Sequence, residues 1–229
     1  DENQIQQSIE GYCVQDLQWG TANAKTVTLS FWAKQPVAGM YGGSLRNSAV
    51  DRSYVFTYTI ATANTWQYFT VTIPGDTSGT WLKNNGVGIT VTFDQGSGTN
   101  RETAAGAWTA GNYQRSSACL TPITAVGTSV FTGMQLEAGT TASSYANMSY
   151  GEQLRQCQRY FLTVPSGAIL CYAYSTIIGT PGMGQFCYPV TMRSYASPVA
   201  PGFARTNAGV PAVYLQTVES ITYATTSTA

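Results

Sequence analysis

Along residues 27–34, Val27, Leu29, Phe31 and Ala33 fall on one side of an extended chain, and Thr28, Ser30, Trp32 and Lys34 fall on the other. This period of two marks a strand with one face inward. The same pattern recurs downstream. Tyr54, Phe56, Tyr58 and Ile60 alternate with Val55, Thr57 and Thr59; Phe69, Val71 and Ile73 alternate with Thr70 and Thr72; and Val87, Ile89, Val91 and Phe93 alternate with Thr90 and Thr92. A further strand is predicted around Val130 to Leu136. Between these runs lie Pro74-Gly75-Asp76, Asn84-Asn85-Gly86 and Gln95-Gly96-Ser97-Gly98, which supply the positive φ and the side-chain-to-backbone bonds that turns require. Short β-branched strands separated by turn signals predict an antiparallel sandwich or barrel.

One stretch has helical spacing. From Ser149 to Phe161, Leu154, Cys157 and Phe161 recur at intervals of three and four, with Glu152 early and Arg155 and Arg159 late, as the helix dipole favours. It reads as a connector closing the first domain. Beyond it the chain is β-like and punctuated by Pro165, Pro181, Pro189, Pro198, Pro201 and Pro211, which suit loops and edge strands rather than a central strand.

Composition narrows the class. Apolar residues make up 43% of the 229 and charged residues only 10%, far below the usual quarter, so Thr, Ser, Asn, Gln and Gly must carry the surface. Eleven basic and eleven acidic side chains cancel, leaving no field to draw a phosphate backbone, and nucleic acid is excluded as an expected partner. No run of eighteen apolar residues offers a membrane span, and none is expected. A chain that begins at Asp1 reads as a processed product, a fragment or the ordered part of something longer.

The five cysteines, Cys13, Cys119, Cys157, Cys171 and Cys187, include no CxxC pair, and there is no histidine. They read as small buried thiols, with a disulfide among them as the alternative; a zinc site is not expected. Without histidine, no side chain has an unperturbed pKa between about pH 5 and 8, so charge-dependent properties should be flat there.

An ordered series of motifs resembles a known family. It begins with Ile9-Glu10-Gly11-Tyr12, Asp16-Leu17, Trp19-Gly20-Thr21 and Val27-Thr28-Leu29-Ser30-Phe31-Trp32. It continues through Tyr41-Gly42-Gly43 with Arg46-Asn47, Ser53 to Tyr58, Thr65-Trp66, Ile73 to Thr77, and Gly79-Thr80-Trp81-Leu82. Gly106-Ala107-Trp108, Asn112-Tyr113, Gln135-Leu136-Glu137, Tyr150 to Leu154 and Cys157 to Tyr160 complete it. Together they resemble the carbohydrate-binding-module-like jelly roll of phage and prophage tail fibres. The resemblance implies an all-β jelly-roll sandwich over residues 1–148, the helical connector over 149–161 and a small β-rich region over 162–229. It further implies a homotrimer associated with other virion proteins, and a virion location. Members of this family carry more β-sequence ahead of Glu10-Gly11-Tyr12, so the opening strands here would be absent, shortened or donated by a neighbour.

The residues offer little catalytic chemistry. A glycosidase needs two carboxylates flanking the scissile bond. Glu2 is near-terminal, Glu152 lies on the connector, Asp51, Asp76 and Asp94 lie in turns, and nothing in the spacing of Glu10, Asp16, Glu102 and Glu137 pairs them. Without histidine, no Ser, Thr or Cys has an evident general base. No cofactor is expected; a structural calcium on Glu10, Asp16 and backbone carbonyls would be the exception. The expected function is therefore non-catalytic recognition of a host surface glycan or receptor, with a purely structural virion part as the alternative. Sugar rings stack on aromatic side chains while amides and guanidinium groups bond their hydroxyls. That combination points to Trp81, Asn84, Asn85, Trp108, Asn112, Tyr113 and Arg115 as the candidate site, the alternative for each ring being core or intersubunit filler. Trp32 and Trp66 are assigned to packing, and Trp19 could be either.

Overall fold

The computed structural model describes residues 2–122, 127–162 and 188–193, together with the strand backbones at 183–185, 213–216 and 220–223. The chain forms two compact units, residues 1–146 and 147–229. The first is an all-β sandwich. Its strands are β1 (Gln4–Glu10), β2 (Val27–Lys34), β3 (Gly39–Arg46), β4 (Arg52–Ile60), β5 (Gln67–Ile73), β6 (Val87–Asp94), β7 (Trp108–Ala110) and β8 (Val130–Ala138), with a one-turn helix α1 (Gly11–Val14) after β1. One sheet has the order β1-β6-β3-β4-β7 and the other β5-β2-β8, with every pairing antiparallel. The chain changes sheet after β1, β2, β4, β5 and β7, the winding of a jelly roll.

The two sheets meet through the inward residues of the alternating runs. Val27, Leu29, Phe31 and Ala33 of β2 are buried, as are Tyr54, Phe56, Tyr58 and Ile60 of β4 and Ile89, Val91 and Phe93 of β6. Phe31 is the hub. Its ring lies 4.9 Å from Phe93, 5.1 Å from Tyr58, 5.6 Å from Phe69, and 6.4 Å from both Phe56 and Phe131, within the range where edge-on and offset aromatic pairs attract.

Two strands escape the alternation pattern for physical reasons. β1, Gln-Ile-Gln-Gln-Ser-Ile-Glu, is a largely exposed edge strand, so it carries few apolar residues. It nevertheless pairs with β6 from Gln4↔Asp94 to Glu10↔Val87. β3 is rich in glycine because it is covered on both faces. A Cβ on Gly43 would meet Phe56 Cζ at 2.4 Å, and one on Gly42 would meet Cys119 Sγ at 2.9 Å.

The outer face of the five-stranded sheet is sealed by the segment after β6. Asp94 accepts hydrogen bonds from the backbone N–H groups of Gly96 (3.1 Å) and Ser97 (2.8 Å). The guanidinium of Arg115 lies 3.5 Å from both Asp94 and Glu102. Arg46, also buried, donates to Asn112 Oδ1, Gln4 Oε1 and Thr92 Oγ1, and burial lowers its pKa from the ordinary value. Desolvation is costly for such cations unless they are hydrogen-bonded in this way.

In the second unit, α2 (Tyr150–Tyr160) begins with a capping box in which Ser149 and Glu152 bond each other's backbone N–H, satisfying two free helix donors. Arg159 donates to the Thr191 carbonyl at 2.9 Å. Three short strands, β9 (Met183–Gln185), β10 (Val213–Gln216) and β11 (Ser220–Tyr223), form a sheet of order β10-β11-β9. Cys13, Cys119 and Cys157 are free thiols, and of these only Cys119 is buried, so the expectation of buried thiols fails at Cys13 and Cys157. Cys171 and Cys187 lie outside the described residues.

Burial pushes the Tyr58 phenol far above its ordinary pKa and also raises those of Tyr41 and Tyr54. Folding therefore favours the neutral phenols. Their contribution is intact below the unfolded value of about 10 and is lost as pH rises beyond it. An alkaline titration followed by circular dichroism and phenolate absorbance should show buried tyrosines ionising only as the sheets unfold; ionisation of every tyrosine in the intact fold would contradict this packing.

Candidate functional site

The residues expected to form the site do not make a solvent-facing groove. Trp81 is only 7% exposed and Trp19 only 3%. With Trp108 they form an edge-to-face triad, with centroids 4.7, 5.2 and 5.3 Å apart. Each indole N–H is satisfied by a backbone carbonyl: Trp19 donates to Lys25 (2.7 Å), Trp81 to Ser78 (3.0 Å) and Trp108 to Pro74 (2.7 Å). A slot of about 10 Å³ beside Trp19 and Trp81 is lined also by Val14, Leu82, Lys83 and Ile89, enough for at most one water. Trp19 and Trp81 belong to the core cluster, and the half-buried Trp108 packs against it. Trp108 opens β7 and pairs with Tyr54 of β4 rather than lying in a loop.

Of the polar members of that set, Asn112 and Arg115 are held by other side chains of the sandwich, and Asn84 and Asn85 are exposed. Asn84 is exposed and its side chain accepts from the Gly86 N–H at 2.8 Å, closing a turn. Asn85 is exposed on the same turn. Asn112 accepts from Arg46 at 2.6 Å, and the Tyr113 backbone N–H donates to Ser53 Oγ at 3.0 Å. Arg115 is buried against Asp94, Glu102 and the Cys119 carbonyl. The assignment of Trp81 and Arg115 to an open binding surface is thus corrected, and the core reading holds for Trp81; Trp108 is half-buried at the end of the sandwich, packed on Trp19 and Trp81.

Trp32 and Trp66, assigned to packing, are the exposed ones, at 43% and 40%. The reason is parity: on β2 the burial of Phe31 turns Trp32 to the opposite face. The register extends this face across the sheet. Trp32 is opposite Tyr68 of β5 and Thr132 of β8, and Lys34 is opposite Val130. Trp66 immediately precedes β5, two residues before Tyr68. The Trp32 and Tyr68 rings are 5.3 Å apart, and Lys34 Nζ lies 5.7 Å from the centre of the Trp66 ring.

A bulge in β8 shapes the floor. Ser30 pairs with Gln135 but Trp32 pairs with Thr132, so Gly133 and Met134 both oppose Phe31. Gly133 takes φ of 58°, a left-handed conformation that glycine adopts at little cost. A methyl group at Gly133 would lie 3.3 Å from Trp32 Cδ1 and 4.0 Å from Tyr145 Cδ2, which places both rings over that glycine.

The rest of this outer face is covered by residues 139–146. Thr28 Oγ1 donates to the Gly139 carbonyl at 2.9 Å, the Ala146 N–H donates to Gln135 Oε1 at 2.9 Å, and Glu137 accepts from both the backbone and the hydroxyl of Ser143 at 2.7 Å. Those Ser143 bonds, with one from Gln135, lower the Glu137 pKa. The carboxylate's contribution to anchoring the segment is therefore present above the unfolded value near 4.5 and lost as pH falls through the lowered one. The covered half is polar, and the uncovered half carries Trp32, Trp66 and Tyr68, with the exposed Tyr145 of the covering segment at its border. Sequence reasoning missed this patch although its signal, the outward position of Trp32, was already in the alternation. Among the described residues, no three His, Cys, Asp or Glu side chains converge as a metal site would require, and no helix is long and apolar enough to cross a membrane.

Trp81→Ala should lower stability by about 3–5 kcal/mol, as for other buried aromatics cut to alanine, whereas Trp32→Ala should leave the melting temperature nearly unchanged. Differential scanning calorimetry of the two variants tests this, and early melting by Trp32→Ala alone would reverse the assignment. Comparison with protein-family models, with curated proteins and with solved structures found no match for the chain.

Proposed function

We propose that the sandwich is a non-catalytic glycan-binding module that stacks sugar rings on the outer face of the β5-β2-β8 sheet, serving a phage tail fibre at the virion surface. The observation that carries the reading is the adjacent, solvent-facing pair Trp32 and Tyr68, with ring centres 5.3 Å apart and Trp66 and Tyr145 also exposed. Exposed apolar groupings on a soluble surface mark interaction sites, and flat aromatic faces match the C–H faces of pyranose rings. Thr132 and Lys34 lie on the same face as hydroxyl and ammonium donors. A non-catalytic role is supported by the carboxylates. Asp94 and Glu102 both approach Arg115, and Asp94 is buried with both oxygens bonded to backbone N–H groups, so it is spent on structure.

The second reading, a purely structural virion part, draws on α2. Tyr150, Leu154 and Cys157 are exposed and recur at intervals of four and three, the spacing of a coiled-coil seam. A homotrimer joined along this seam is compatible with either role. On a glycan array, Trp32→Ala and Tyr68→Ala should each weaken binding by about 1–3 kcal/mol, by analogy with stacking on nucleic-acid bases, while light scattering reports an unchanged oligomer. If no glycan is retained, and Trp32→Ala instead dissociates the oligomer, the face is a subunit contact and the structural reading replaces this one.

A further inference from the structure

Lys34 gives the aromatic face a charge. It stands on β2 two residues beyond Trp32, on the same side of the sheet, and opposite Val130. Successive same-side residues on a strand are about 6.6 Å apart, so the ammonium is within reach of substituents on a ring stacked over Trp32. Its Nζ lies 5.7 Å from the centre of the Trp66 ring, and none of the ion pairs among the described residues involves Lys34. The turns at this end of the sheet, residues 35–38, 61–65 and 127–129, contain no Asp or Glu. The nearest carboxylate on this face, Glu137, is opposite Thr28, about 13 Å along β2 from Trp32, and is held by Ser143. The face thus runs from an aromatic and cationic end to a covered, acidic one.

Resting on the glycan-binding reading of this face, we infer that its ligand is an anionic glycan, whose pyranose ring stacks on Trp32 and Tyr68 and whose carboxylate or phosphate meets the Lys34 ammonium. A neutral sugar would leave that cation in water and gain only the stacking. The Trp66 ring holds the ammonium beside the platform through cation–π attraction, and as a point charge with three donors the ammonium accepts either anion.

The test compares oligogalacturonate with the same oligomer methyl-esterified, and phosphomannan with plain mannan, by isothermal titration on the full chain. The charged member of at least one pair should bind about two- to fivefold more tightly, the range for an exposed ion pair, and the difference should shrink with added salt. Which pair shows it identifies the anion. Lys34→Gln should abolish the preference while keeping the weaker binding of the neutral member, and Lys34→Arg should restore it. Equal binding of charged and neutral members, with Trp32→Ala weakening both, would overturn the inference and leave the aromatic site standing. Binding of none of the four, with Trp32→Ala instead dissociating the oligomer, would remove the glycan reading itself.

Discussion

The fold and its exposed face both depend on the seating of Phe31. Its ring touches aromatic residues from β4, β5, β6 and β8, so it joins the two sheets through one side of β2. A strand cannot bury one residue without turning its neighbours the other way. Because Phe31 is inside, Trp32 is outside, and antiparallel register then places Tyr68 beside it and Thr132 across from it. The exposed aromatic face is the reverse side of the core.

The remaining outer surfaces follow from what each sheet must cover. The five-stranded sheet hides Gly42, Ser44 and Arg46 beneath the segment after β6, with Arg115, Asp94 and Gln114 as buried polar fastenings; Ser97 donates to Gln114. The three-stranded sheet hides Thr28 and Ser30 beneath residues 139–146 but leaves the Trp32 row bare. The end of the sandwich is plugged by three indoles that pack on one another and each donate to a backbone oxygen. Such rings combine large apolar area with one satisfied polar group.

The alternating strands were legible because one face is apolar and the other polar: 27–34, 54–60, 69–73, 87–93 and the stretch from 130 all lie within strands. The helix was legible from Ser149, Glu152 and the apolar spacing. β1 was not, because an exposed edge strand needs few apolar residues, and β3 was not, because a strand pressed between Phe56 and Cys119 needs glycine. The site was misread at the level of the tryptophans. Turn-forming neighbours made Trp81 look exposed, yet a turn can fold its ring inward, and only long-range packing with Trp19 determines that; Trp108 sits half-buried on β7 beside them. Trp32 was misread for the opposite reason, since strand membership was taken to mean burial when its parity already placed it outside.

The most direct test is tryptophan oxidation footprinting with and without a bound oligosaccharide, read residue by residue by mass spectrometry. Of the five tryptophans, Trp32 and Trp66 should oxidise rapidly in the native protein, Trp19 and Trp81 should resist until it unfolds, and saturating glycan should protect Trp32 selectively. Rapid oxidation of Trp81 alongside a protected, ligand-insensitive Trp32 would contradict the account.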